Sequence, residues 1–143
     1  MKEHRFYVCI TASAILVLLF GGCTRAERIE TAGDLAKALQ REGLAYATQE
    51  PASLPDMKYG RIDEGVTLAA SGLSVDIIRI EDKRTYKAFL GMGALLVAAE
   101  RKTGERLPGR PDIYSRRPFI VVVREEPNPG DVKRALNAVL GSE

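Results

Sequence analysis

The chain is poor in the residue types that carry most enzyme and metal chemistry. Its 143 residues include one histidine and two cysteines. His4 and Cys9 lie in the first ten residues, Cys23 follows shortly after, and from Thr24 onward neither residue type occurs. A zinc or copper site of ordinary ligands is thereby excluded from that part of the chain. Ser-His and Cys-His nucleophilic pairs are excluded with it. No disulfide framework can form there, so a folded body must be held by packing. Charge of one sign is lacking too, since 21 Lys and Arg stand against 19 Asp and Glu, a net charge of +2. A dedicated nucleic-acid binder would show a clear basic excess. The 45% apolar and 28% charged residues are nevertheless the composition of a folded globular chain, and the length suits one domain.

What is present begins with a long apolar run. Lys2 and Arg5 precede Phe6 to Phe20, 15 residues without a charge. A membrane span needs about 20 residues, so this length matches the apolar region of a secretory signal better. The small pair Gly21-Gly22 then suits the narrow subsite of a signal peptidase, immediately before Cys23. The segment Leu19-Phe20-Gly21-Gly22-Cys23 resembles the lipobox of bacterial lipoproteins, in which the cysteine thiol takes a diacylglycerol and the new amino group is acylated. Phe20 departs from that pattern, where a small or β-branched residue is usual. The resemblance implies a signal over 1–22, a lipidated tether over 23–30 and a single domain over 31–143. It implies a partner as well: the lipid membrane, held through acylated Cys23 on the extracytoplasmic side of a bacterial cell membrane. Two or three acyl chains, at about 0.8 kcal/mol per buried CH₂, would make that anchor stable.

The domain opens on a helix from Thr31, where Thr31 and Asp34 offer a capping box. Ala32, Leu35, Ala36 and Leu39 share one face, and Gly43 with Leu44 supplies the stop. Residues 44–50 alternate weakly and predict a strand that ends at Pro51. Segments 65–70 and 73–80 flank Ser71-Gly72 and predict a tight hairpin. Ile78 and Ile80 break its phase, as a bulge or a strand covered on both sides would. From Asp82 the period turns helical. Residues 92–99 are apolar almost all round, which predicts the central and most buried helix, with Gly91 and Gly93 allowing close approach to the sheet. Residues 112–115 and 118–124 predict a short strand and a long one, the latter central and joined to the former near Arg116-Arg117. Asn128 as cap and Pro129 in the first turn open a last helix. Val132, Ala135, Leu136, Val139 and Leu140 form its apolar face.

The order α-β-β-β-α-β-β-α, dominated by hairpins, predicts an α+β fold. Its antiparallel sheet of about four to five strands would pack on two to three helices. This plan is similar to that of small bacterial lipoproteins with one α+β domain, a resemblance that carries no reactive residue with it.

Three adjacent carboxylate pairs invite a search for acid–base chemistry: Asp63-Glu64, Glu81-Asp82 and Glu125-Glu126. Neighbours on a strand point to opposite faces, so helix capping and solvated turns account for them better than a dyad. No calcium loop, phosphate loop or nucleophile elbow is present. One basic cluster stands out: Arg101, Lys102, Arg106, Arg110, Arg116 and Arg117. It reads either as a solvated loop or as a surface for anionic lipid or an acidic envelope partner, with Arg106, Arg110, Arg116 and Arg117 as the contacts. The sequence thus predicts a membrane-tethered, non-catalytic interaction or structural domain without cofactor, metal or nucleic acid. The alternative is a binding module for a small apolar ligand or an extended peptide. A concave pocket bordered by Tyr46, Tyr59 or Tyr114 would favour that alternative.

Overall fold

The computed structural model describes residues 28–53, 60–104 and 109–142. The chain runs α1 (Ala32–Arg41), β1 (Thr48–Pro51), β2 (Glu64–Ala70), β3 (Leu73–Arg79), α2 (Lys83–Thr103), β4 (Asp112–Arg116), β5 (Phe119–Glu125) and α3 (Asp131–Leu140). The strands form one antiparallel sheet in the order β1-β2-β3-β5-β4. Element order and the α+β class are as the sequence predicts.

Helix α1 forms where its local signals say it should. The Thr31 hydroxyl accepts from the Asp34 N–H at 3.0 Å, and the Asp34 carboxylate accepts from the Thr31 N–H at 3.1 Å. Hydrogen bonding to the carboxylate, from the Thr31 hydroxyl first and the Thr31 N–H next, holds the Asp34 carboxyl below its ordinary pKa. At the other end Gly43 has φ +93°, and Leu44 N–H reaches the Leu39 carbonyl while Gly43 N–H reaches that of Gln40. That is a Schellman stop, with Leu44 buried against the helix it ends. The buried face of Ala32, Leu35, Ala36 and Leu39 lies on the sheet beside Val132, Ala135 and Leu136 of α3. Each leucine fully buried there contributes about 1.5–3 kcal/mol.

The sheet is covered on both faces, which accounts for the broken phase in β3. Leu73, Val75 and Ile77 face α1 and α3 together with Phe119, Val121 and Val123 of β5. Ile78, Ile80 and Ile120 belong to a second cluster with Tyr86, Phe89 and Leu90 of α2. A register shift also occurs between Ser74 and Val75 where β3 pairs with β5. The Ser71-Gly72 turn closes the β2–β3 hairpin with Gly72 at φ +72°.

Four expectations are corrected. Helix α2 is not the most buried helix: Met92 is 49% exposed and Leu95 71%. Its apolar first half packs on Ile78, Ile80 and Ile120, whereas Met92, Ala94, Leu95, Ala98 and Ala99 are exposed. Strand β1 begins only at Thr48 and includes Pro51, because Leu44 and Tyr46 are drawn into the main core by the Schellman turn. Asn128 and Pro129 lie ahead of α3 instead of opening it. The cap there is Gly130 at φ +90°, and the Glu126 carboxylate accepts from the Gly130 N–H at 2.7 Å and the Val132 N–H at 3.1 Å. Lastly, close approach is needed only at Gly93, where an added Cβ would lie 2.9 Å from Ile113 Cδ1; at Gly91 it would meet nothing.

Candidate functional site

Cys23 lies outside the described residues, as do Tyr59 and Arg106. The remaining members of the basic cluster differ in what they touch. Arg110 forms an ion pair with Glu100 of α2, both side chains largely buried. Arg116, at the end of β4, reaches across to the C-terminus of α3. Its Nη2 donates to Asn137 Oδ1 at 3.2 Å and its Nε to the Gly141 carbonyl at 3.4 Å. A cation at a helix C-terminus also meets the negative end of the helix dipole. Arg117 is exposed and donates to the Glu81 carbonyl at 3.0 Å. Arg101 and Lys102 stand exposed in the last turn of α2. Arg110 and Arg116 therefore serve the fold, while Arg101, Lys102 and Arg117 are exposed.

The carboxylate pairs are likewise used locally. Glu64 Oε2 accepts from the Ala32 N–H at 3.0 Å, which ties the start of β2 to the start of α1. Asp63 accepts from the Glu81 N–H at 2.7 Å. Asp82 caps α2, accepting from both the N–H and the hydroxyl of Thr85 at 2.7 Å. Those bonds, the Thr85 N–H first, hold the Asp82 carboxyl below its ordinary pKa. Glu126 caps α3. All three helices thus start on a carboxylate oxygen, where the positive end of the helix dipole favours one. Among the described residues no three His, Cys, Asp or Glu side chains are grouped to hold a metal ion.

Two features lie beyond the sequence reading. The first is a buried acid: Asp76 of β3, 7% exposed, accepts from Thr67 Oγ1 at 2.7 Å and Arg124 Nη2 at 2.6 Å. Its partners are nine and 48 residues away, so only the strand register brings them together. The second is a cleft of about 160 Å³ between edge strand β4 and α3. Tyr114, Ser115 and Arg116 form one wall, and Lys133, Leu136 and Asn137 the other. It is bordered by one of the three tyrosines singled out above. Tyr46 instead packs on the main core, its hydroxyl donating to Gln49 Oε1 at 3.3 Å.

The cleft is small and mixed in character. Pockets that enclose a drug-sized ligand run from about 300 Å³ upward. This one has room for a single side chain or a small anionic group, beside the charges of Arg116 and Lys133. No described helix is long and apolar enough to cross a membrane. Comparison with protein-family models, with curated proteins and with solved structures finds no match for this chain.

Proposed function

We propose that the protein is a lipoprotein of a bacterial cell envelope, anchored through acylated Cys23, whose folded part is an interaction or structural domain and not a catalyst. The observation that carries this reading is the order Lys2 and Arg5, apolar run, Gly21-Gly22, Cys23, followed eight residues later by Thr31. Thr31 is the N-cap of the first helix. A signal cut before Cys23 would leave the lipid attached just outside a domain that needs nothing upstream to begin its first helix. The non-catalytic half of the reading draws on the absence of histidine and cysteine after Cys23. It draws equally on the carboxylate pairs, whose members cap helices and bridge loops. Its partners are the membrane and an envelope protein.

The test is direct. Cys23→Ser should abolish labelling by radioactive palmitate and move the protein out of the membrane fraction. A wild-type chain that never takes the label, with fractionation unchanged by the substitution, sinks the anchor.

The cleft beside β4 favours a second reading, in which the domain binds an extended peptide along that edge with one side chain in the cleft. Its size, with Lys133 on one wall, suits an acidic or C-terminal residue better than an apolar small molecule.

A further inference from the structure

Among the described residues the exposed large apolar side chains, Met92 and Leu95, both lie on the outward face of α2. Between Lys83 and Ala99 the helix has no acidic residue. Ala88, Gly91, Met92, Leu95 and Ala98 follow one another at spacings of mostly three or four and are all exposed. Lys83, Arg84 and Lys87 stand exposed at one end of this stripe, and Arg101 and Lys102 at the other. The helix's one carboxylate, Glu100, is engaged by Arg110 and mostly buried. The face therefore reads cation, apolar, cation over 21 residues, a length of about 30 Å.

Its place in the molecule matters as much as its composition. Glu64, which receives the first N–H of α1, is in register with Arg79 at the end of β3. Helix α2 leaves from that same end of the sheet at Lys83. The chain thus enters α1 and α2 at the same end of the sheet, on its two opposite faces. Ile29, the first described side chain packed on the main core, lies six residues beyond Cys23, at most about 22 Å of extended chain.

We infer that the outward face of α2 lies on an anionic lipid surface, with Met92 and Leu95 entering the headgroup–acyl boundary and the flanking cations at the phosphates. The inference rests on the anchored reading proposed above, because a tether that short holds the domain against the bilayer. An apolar centre with cationic flanks is the pattern of a helix lying in the interface plane. Anionic headgroups complement all five cations. A second copy would not: stacked along their length, the two faces would bring cation to cation. A stripe about 30 Å by 10 Å, roughly 300 Å², also falls well short of the about 800 Å² per partner that a stable dimer needs.

The chain contains no tryptophan, so Leu95→Trp supplies a single reporter. Lys37→Trp, exposed on α1 in the opposite layer, is the control. Both whole chains are purified in whatever processed form the cells make and mixed with vesicles of phosphatidylglycerol or phosphatidylcholine carrying brominated acyl chains. In phosphatidylglycerol the Leu95→Trp emission should shift to the blue and lose most of its intensity, while that of Lys37→Trp does not change. Adding Lys87→Gln should lower the docking equilibrium, read from the extent of quenching, about fivefold. Equal quenching at both positions, or none at Leu95→Trp in vesicle-bound chain, overturns the inference. A blue shift that needs no lipid and grows with protein concentration marks a second copy and overturns it too. The two proposals fail separately. A palmitate-labelled chain without quenching keeps the anchor and loses the face; an unlabelled chain with quenching does the reverse.

Discussion

Gly60 and Thr85 show how little slack there is where α2 begins. Gly60 has φ +110°, a conformation that L side chains rarely adopt. A Cβ there would stand 2.8 Å from Thr85 Cγ2 and closer still to its Oγ1. Thr85 cannot turn away freely, since it is 3% exposed and its hydroxyl and N–H are both held by Asp82. Gly60→Ala should therefore destabilise the protein by about 1–3 kcal/mol from backbone strain alone, with the displaced cap adding to it. A urea titration should show the midpoint fall at unchanged slope. A midpoint equal to that of wild type would mean that the loop relaxes around the new methyl group. Asp76 makes a different point about single residues. An aspartate inside an apolar strand has no local sign of its partner when that partner is Arg124, two strands further along the chain. Ring-free, non-sequential ion pairs of this kind follow from register, and register follows from which faces are buried.

The helices differ in how far their own residues decide their environment. Helix α1 was legible because every signal is local: Thr31 and Asp34 cap it, Gly43 stops it, and its apolar spacing has one period. Helix α3 misleads at its start, where Asn128-Pro129 imitates a cap that Glu126 supplies from outside the helix. Helix α2 misleads more, since apolar residues all round describe a buried helix and an interfacial one equally well. Only the extent of sheet left for it to cover separates the two. Its glycines sharpen the distinction. Gly91→Ala should stabilise the protein by about 1 kcal/mol, the helix-propensity difference, because the new methyl meets nothing. Gly93→Ala should gain less, because its methyl must push the Ile113 Cδ1 aside. Thermal melts of the two variants give the comparison. Equal gains would show that α2 and β4 are not packed as closely as the 2.9 Å approach requires.

One sheet carries two unequal cores, and that inequality should govern how the molecule opens. The larger core joins α1 and α3 to Leu68, Val75, Ile77 and Val121. The smaller rests on Ile78, Ile80, Tyr86 and Ile120, with the Tyr86 hydroxyl bonded to the Phe119 carbonyl at 3.2 Å. Regions with few buried apolar contacts open locally at free energies below that of global unfolding. Native-state hydrogen exchange should accordingly find the α2 amides released by a partial opening that leaves β3 and β5 protected, since those strands are paired on both sides. Leu35→Ala, in the larger core, should lower the protection of β3 and β5 by about 2–5 kcal/mol. Ile80→Ala should act first on α2. If α2 and β3 amides exchange at one common free energy in the wild-type protein, the two layers unfold as a unit and the smaller core is stronger than its size implies. If they separate, α2 is a layer that can shift on the sheet without unfolding it, which is the freedom a face resting on lipid would use.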